Sequence, residues 1–211
     1  MSNVREFNTV PDGHPSVESP LAWSYQQHPA PRANGLHTGI VLREKALLGH
    51  LVLRGGAIVL DEAVRATLGI SLPAKPNALA FDDSGERSIQ WLSPDEWLVI
   101  VPGGEEFALE NALRHALGDA HYGIVNASGG QTVLTLSGEN ARDVLMKSTP
   151  YDVHPNAFLV GKGVTTVFAK ATVVLRRPSE THWELVVRRS FADYCYRWLL
   201  DASAEYGIDT Q

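Results

Sequence analysis

Histidines are the residues of this sequence best suited to metal or acid–base chemistry, so their spacing is the first test for an active site. The eight histidines are scattered, and no two stand in the HExxH arrangement that places two imidazoles on one helical face. Asp152 and His154 would share one face of a strand, but Pro155 follows them and favours an extended surface loop. The histidine pattern therefore predicts neither a metal site nor a catalytic site. The eight positions are His14, His28, His37, His50, His115, His121, His154 and His182.

Nucleophiles are equally sparse. Cys195 is the single cysteine, which excludes an internal disulfide framework and a cysteine-rich metal site. It falls on the apolar stripe of a predicted helix, where cysteine usually behaves as a small buried hydrophobic residue. No GxSxG sequence is present. Asp95 and Glu96 are adjacent carboxylates in a predicted turn, and neighbours in a turn seldom converge on one substrate.

Gly161-Lys162-Gly163 is the nearest approach to a nucleotide-binding loop. Thr166 stands where the GxGxxG motif needs its third glycine, and the residues that follow indicate a strand instead of a helix. A P-loop also needs an upstream glycine and a serine or threonine after the lysine, and neither is present. The segment is predicted to be a turn.

Two arginine pairs stand at the ends of predicted strands, Arg176-Arg177 and Arg188-Arg189. Either pair could bind a phosphate or a carboxylate through bidentate hydrogen bonds. The alternative is that they cap the sheet and pair with acidic residues. Arg188 and Arg189 precede a predicted helix, where positive charge opposes the helix dipole. That placement indicates a use outside the domain, with Glu180 and Glu184 as the alternative partners.

The elements that must position these residues alternate irregularly between strand and helix. Trp183, Leu185 and Val187 form one apolar face of a strand. Ser190 and Asp193 predict an N-cap for the last helix, a variant of the capping box, and its apolar stripe is Phe191, Cys195, Trp198 and Ala202. Without a regular βαβ order, the fold class is predicted as α+β with mainly antiparallel sheets and packed helices. The main segments are strands at 40–42, 51–53, 88–92, 97–101, 122–126, 132–136, 164–168, 172–175 and 183–187, and helices at 57–68, about 105–117 and about 139–146.

Residues 1–35 have a different composition from the rest. They hold five of the twelve prolines and show no apolar periodicity, so we predict a flexible tail with no core of its own. In an assembly, Trp23 and Tyr25 are predicted to anchor this tail on a neighbouring chain and to be ordered only there; the alternative is a flexible terminus with no partner. Residues 36–205 are predicted to form a single domain.

The overall composition limits the class of partner. Of the 211 residues, 44% are hydrophobic and 20% are charged, which is ordinary for a globular protein. The net charge of −6 argues against nucleic acid as the main partner. No apolar stretch is long enough to span a membrane, and no secretory signal is visible. We therefore expect a cytoplasmic protein that contacts neither nucleic acid nor membrane.

Three blocks of the sequence lie at residues 91–98, 131–158 and 188–199. Together they resemble the gamma subunits of bacterial heterotetrameric sarcosine oxidase. The first is similar to the family's WLGPDEWL block, with Ser93 in place of glycine. The second matches the family's central block and the third its C-terminal signature. Their order and spacing agree with the family from about residue 36 to residue 202. The blocks are Trp91–Leu98; Gln131–Gly138, Ala141–Leu145, Pro150–Pro155 and Phe158; and Arg188–Tyr194 with Trp198-Leu199.

The resemblance implies a reduced version of the folate-binding domain of aminomethyltransferases. It implies a non-catalytic gamma subunit without a cofactor, bound to alpha, beta and delta subunits. In that family the FAD, FMN, NAD and tetrahydrofolate belong to the larger subunits and zinc belongs to delta. The complex oxidises sarcosine to glycine, releases hydrogen peroxide and passes the one-carbon unit to tetrahydrofolate. Trp23, Tyr25, Arg188 and Arg189 are the predicted partner contacts, and no catalytic, cofactor or metal residue is predicted.

Two other functions fit the same sequence. N-methylglutamate dehydrogenase complexes contain a similar small subunit, and the choice of substrate would lie in another chain. A free-standing folate-binding module is the second alternative. It would need a carboxylate and aromatic walls to orient the pterin, and no such carboxylate is evident in the sequence.

Overall fold

The computed structural model describes residues 16–29 and 38–210. In chain order the helices are α1 Ala22–Gln27, α2 Ala57–Leu68, α3 Glu105–Leu117, α4 Ala141–Ser148 and α5 Ala192–Ala202, with a 3₁₀ helix at Arg189–Phe191 before α5. The strands are β1 Ile40–Lys45, β2 Gly49–Gly55, β3 Leu79–Phe81, β4 Ser88–Ser93, β5 Glu96–Val101, β6 Tyr122–Asn126, β7 Gln131–Ser137, β8 Lys162–Phe168, β9 Ala171–Arg177, β10 His182–Arg188 and β11 Ile208–Asp209.

The described residues form two compact units, each with its own sheet. Residues 16–17 and 47–129 make the first unit, and residues 18–29, 38–46 and 130–210 make the second. The sequence analysis predicted a single domain over 36–205. Each unit instead has a separate apolar core, which a periodicity argument along the chain does not distinguish from one shared core.

The first unit is a five-stranded antiparallel sheet in the order β3-β4-β5-β2-β6. Its core side chains include Leu51, Trp97, Val99 and Leu113, all at most 1% exposed, with contributions from α2 and α3. The indole of Trp97 donates a hydrogen bond to the carbonyl of Pro73 at 2.9 Å, so this buried ring has its polar atom satisfied. The helix α2 ends as predicted at Gly69, which takes a left-handed conformation with φ of 71°.

The second unit is a six-stranded sheet in the order β11-β1-β7-β10-β9-β8. Every pairing is antiparallel except the parallel pair of β1 with β11. Strand β10 faces its helices with Trp183, Leu185 and Val187, as its alternation predicts. The mainly antiparallel α+β prediction is confirmed.

The helix α5 begins differently from the prediction. Phe191 is its N-cap residue, and no side chain caps the helix. The predicted cap by Ser190 is wrong, because the 3₁₀ helix at Arg189–Phe191 occupies that part of the chain. The buried face of α5 consists of Ala192, Cys195, Tyr196 and Leu199, whereas Phe191 is 39% exposed.

Among residues 16–29, the predicted tail has a different structure from the one expected. Leu21 is fully buried in the core of the second unit, and the short helix α1 follows it. Residues 21, 24, 25 and 28 are spaced i, i+3, i+4 and i+7, as on one face of a helix, but Ser24 and His28 are polar, so the apolar signal in the sequence is weak. Residues 1–15 and 30–37 of the predicted tail lie outside the described residues.

Candidate partner-contact surface

The segment that precedes and includes α1 is held on the second unit by specific contacts. The hydroxyl of Ser19 donates to the carboxylate of Glu44 on β1 and also accepts from the amide of Leu21 at 3.0 Å. The hydroxyl of Ser24, which is 1% exposed, donates to Oδ1 of Asp193 at 2.9 Å. The Ser19 bonds hold the segment before α1 on β1, and the Ser24 bond fixes the side of α1 that faces α5.

Tyr25 serves the fold of its own chain. Its ring packs edge-on against Tyr196 at a centroid distance of 5.1 Å, and the Tyr196 hydroxyl donates to the carbonyl of His28 at 2.9 Å. Burial, helped by the nearby Glu44 carboxylate, raises the pKa of Tyr25 to about 12. The sequence analysis expected Tyr25 to be ordered only against a partner subunit. The ring instead packs on α5 of its own chain.

Trp23 lies on the outer side of α1. It is 59% exposed, and its ring makes an edge contact with His28 at 6.1 Å between centroids. On an α-helix the residue one position before Ser24 is turned by about 100° from it. The indole therefore projects away from the core that receives Leu21.

Arg188 and Arg189 are both exposed, at the end of β10 and in the 3₁₀ helix. Arg189 reaches the carbonyl of Glu18 at 3.5 Å. Within residues 16–29 and 38–210, neither guanidinium lies within ion-pair distance of a carboxylate. The alternative partner Glu184 is already engaged elsewhere.

Glu184 is the centre of a buried ion-pair cluster on the sheet. It is 3% exposed, and its carboxylate lies 2.7 Å from Nη2 of Arg176 and 2.8 Å from Nζ of Lys45. Although burial by itself would raise the pKa of Glu184, attraction by Arg176 and Lys45 outweighs it and holds that pKa below its ordinary value. Arg176 thus has the structural use that the sequence analysis gave as an alternative.

Arg177 also serves the fold. Its Nη1 donates to the carbonyl of Phe158 at 2.6 Å, and its guanidinium lies over the ring of Trp183 at 5.2 Å. A cation over an aromatic face gains from the ring quadrupole. Of the two arginine pairs, only Arg188-Arg189 is therefore available at the surface.

The other candidate groups do not converge. Cys195 is fully buried, and burial raises the pKa of its thiol to about 12, so the thiolate is suppressed. Nδ1 of His154 accepts from the amide of Asn156 at 3.2 Å within its loop. Asp95 accepts from Ser93 at 2.8 Å and from Arg54 at 3.4 Å in an exposed turn. In the described part of the chain, no three His, Cys, Asp or Glu residues are grouped closely enough to hold a metal ion.

The described residues of the first unit line surface cavities near both ends of α2. One, of about 310 Å³, lies between α2 and α3 with Arg87 and Glu105 at its wall. The other, of about 510 Å³, lies beside the start of α2 and includes Arg54, Asp95 and Tyr122. Arg87 and Glu105 hold each other through two hydrogen bonds of 2.8 Å and 3.1 Å.

No helix in the described residues is both long and apolar enough to cross a membrane.

Comparison with known proteins identifies the family. The family model of the sarcosine oxidase, gamma subunit family matches residues 55–205. The chain belongs to this family. The sarcosine oxidase subunit gamma of Corynebacterium sp. strain P-1 is 39% identical over 84% of this chain and 87% of its own length. The gamma subunit of an Arthrobacter species is 37% identical over 81% of this chain and 83% of its own length.

Solved structures agree with the family assignment. One chain of the heterotetrameric sarcosine oxidase from Corynebacterium sp. U-96, in complex with pyrrole 2-carboxylate, matches with a TM-score of 0.79 and 33% identity. The match covers 90% of this chain and 96% of that one. An aminomethyltransferase of the glycine cleavage system from Bartonella henselae matches with a TM-score of 0.64 at 14% identity, over 90% of this chain and 58% of that chain. This second likeness confirms the predicted aminomethyltransferase-like fold.

The sequence analysis missed two features of this surface: the helix α1, and the way in which α5 begins. Phe191 was expected in the core and is partly exposed, while Asp193 was expected to cap a helix and instead accepts a hydrogen bond from Ser24. The helical spacing of residues 21, 24, 25 and 28 was the available signal for α1. Only eight residues separate Pro20 from Pro29, so the signal is short.

Proposed function

We propose that this chain is a non-catalytic structural subunit of a heterotetrameric sarcosine oxidase. The observation that carries the proposal is the 33% identical match to a chain of such an enzyme, over 90% of this chain and 96% of the other. A match over nearly the full length of both chains favours an equivalent place in an equivalent assembly. In this proposal the chain joins alpha, beta and delta subunits in the cytoplasm.

The reaction belongs to the assembly. The partner subunits would carry FAD, FMN, NAD, tetrahydrofolate and zinc, and would convert sarcosine to glycine with formation of hydrogen peroxide and methylenetetrahydrofolate. The side chains of this subunit support the proposed role by their use within the fold: the Cys195 thiol is buried, and the Glu184 carboxylate is held by Arg176 and Lys45.

The proposal is tested by co-purification. The chain is expressed with an affinity tag in its native host and isolated under mild conditions. We expect three other subunits, a flavin absorbance that travels with them, and sarcosine-dependent peroxide formation by the complex. The isolated chain should be colourless and inactive with sarcosine. Recovery of the tagged chain alone, or flavin bound to the lone chain, would contradict the proposal.

The same preparation separates the alternative functions. Oxidation of N-methylglutamate with an artificial electron acceptor, without oxidation of sarcosine, would assign the chain to an N-methylglutamate dehydrogenase complex. Saturable binding of tetrahydrofolate by the isolated chain, measured by calorimetry, would support a folate-binding module. We expect neither result.

A further inference from the structure

The junction of α1 with the start of α5 brings together exposed groups that are far apart in sequence. Two hydrogen bonds form the junction: Arg189 donates to the carbonyl of Glu18 at 3.5 Å, and Ser24 donates to Asp193 at 2.9 Å. Trp23 is the residue before Ser24. Phe191 lies between Arg189 and Asp193. We call the exposed residues Trp23, Arg188, Arg189 and Phe191 the α1–α5 surface.

The apolar part of this surface consists of one tryptophan and one phenylalanine. Trp23 is 59% exposed and Phe191 is 39% exposed, and Trp23 precedes Ser24, whose hydroxyl is hydrogen-bonded to Asp193 on α5. Tryptophan loses little conformational entropy on binding and buries a large area, so it is enriched among the residues that dominate binding energy. A tryptophan held on a fixed helix is already oriented for a partner.

The charge of this surface is opposite to the charge of the chain. The chain carries −6, yet no carboxylate of the described residues lies within ion-pair distance of Arg188 or Arg189. Glu184, which could have neutralised them, is bound to Arg176 and Lys45. Both arginines also stand just before α5, where the helix dipole opposes positive charge. Among the described residues, the fold gains from these two charges only the exposed hydrogen bond of Arg189 to the carbonyl of Glu18, which is 3.5 Å long.

We propose that the α1–α5 surface docks on an acidic surface of another subunit of the heterotetramer, with Trp23 inserted into an apolar recess and the arginines paired with carboxylates. This inference rests on the proposed function, because it takes a partner subunit as the occupant. Arginine and tryptophan together form the composition expected at the centre of an interface. Charge complementarity with the arginines selects an acidic partner surface.

Matched control residues lie at the other end of the sheet. In the register of the sheet, Arg188 on β10 lies opposite Gln131 at the start of β7. The helix α4 follows the other end of β7, at Ser137. Six residues of strand separate these ends by roughly 20 Å. Arg142 on α4 is an exposed arginine at the far end. Leu159 is 61% exposed. It lies near the far end as well, because the amide of Gly161 donates to the carbonyl of Arg177 at the end of β9, beside the start of β10.

The test is a competition inside the native host. Wild-type and variant chains with different tags are expressed together, and the complex is purified through one of the other subunits. The ratio of the two chains is read by mass spectrometry. We expect Arg188→Glu with Arg189→Glu, and separately Trp23→Ala, to lower incorporation by about tenfold or more, a change of about 1.4 kcal/mol. The controls Arg142→Glu and Leu159→Ala should be incorporated like the wild type.

Salt and folding measurements complete the test. Raising NaCl from 0.05 M to 0.5 M should release the wild-type chain from the complex more than it releases the Arg188→Gln, Arg189→Gln variant, because screening acts on the charged contact. The melting temperature of each variant chain alone should fall by less than about 3 °C, because the one hydrogen bond that charge reversal removes, from Arg189 to the carbonyl of Glu18, is exposed and 3.5 Å long. Equal incorporation of wild type and charge-reversed variant, or equal loss in the Arg142→Glu control, overturns the inference while the proposed function stands. If the wild-type chain itself purifies with no other subunit, it is the proposed function that fails.

Discussion

Replacing Glu184 with glutamine should destabilise the second unit more than any single surface change. The carboxylate is 3% exposed, and it faces Arg176, which is 2% exposed, at 2.7 Å. The substitution keeps the size of the side chain and removes its charge. Arg176 then loses the carboxylate that compensates it inside the protein. Breaking a buried pair in this way costs about 3–5 kcal/mol.

The second partner of Glu184 gives the matched comparison. Lys45 lies 2.8 Å from the same carboxylate, but its side chain is 49% exposed. Water can solvate one end of that pair, so Lys45→Met should cost less than about 1 kcal/mol. Combining Glu184→Leu with Arg176→Met removes both buried charges, and this double variant should be more stable than Glu184→Gln.

The assay is urea denaturation of each full-length chain, followed by far-ultraviolet circular dichroism. The free energies of unfolding should fall in the order wild type, Lys45→Met, Glu184→Gln. A loss below about 1 kcal/mol in Glu184→Gln would refute the reasoning, since it would mean that the pair is solvated. A double variant less stable than Glu184→Gln would also refute it.

The same pair predicts a pH dependence with a definite sign. Burial by itself would raise the pKa of Glu184, but Arg176 and Lys45 outweigh it, and the pKa in the folded protein lies below the ordinary value of 4.5. A carboxylate with a lowered pKa stabilises the fold above its unfolded pKa, and that contribution is lost as the pH falls through the folded pKa. The stability difference between wild type and Glu184→Gln should therefore shrink as the pH falls below about 4.5. A constant difference from pH 7 to pH 3 would contradict this.

Four smaller predictions concern α1 and α5. Trp198→Ala should cost about 3 kcal/mol in urea unfolding, because the half-buried indole also donates a hydrogen bond at 3.0 Å; a cost below about 1 kcal/mol would show that the ring contributes little packing. Ser190→Ala should change stability by less than about 0.5 kcal/mol, since no side chain caps the helix. A loss of about 1 kcal/mol would instead support the cap predicted from the sequence. Ser24→Ala should cost about 1–2 kcal/mol, because its hydroxyl donates to a carboxylate at 2.9 Å, and an unchanged midpoint would show that this contact is absent in solution. Cys195, with a pKa of about 12, should react with maleimide at pH 8 only after urea is added, and rapid labelling of the native chain would show that the thiol is accessible.

Elements with complete local signals were predicted closely. The helix at 57–68 is observed as Ala57–Leu68, because its apolar face and its C-terminal glycine are both local features. The strand at 122–126 is observed as Tyr122–Asn126. Strands at 164–168, 172–175 and 183–187 are each longer in the structure, since pairing in the sheet extends a strand beyond its apolar residues.

The family resemblance was also a property of the sequence alone. Three blocks in the right order identified it, and the comparisons confirm it. The likeness to aminomethyltransferases in fold followed from the same identification. The predicted contacts Arg188, Arg189 and Trp23 came from residue type and position, and the structure places all three at the surface.

Only the tertiary structure decided which polar residues belong to the fold. The alternation of β10 left Glu184 on the mixed face, but its neighbours in the sheet bury it against Arg176 and Lys45. The helix α1 is short and weak by itself, and it forms where Ser24 meets Asp193, which is 169 residues away in the sequence. Local patterns determine which helices and strands can form. Burial depends on contacts between distant segments, and these contacts determine which arginines pair inside the protein and which remain for a partner.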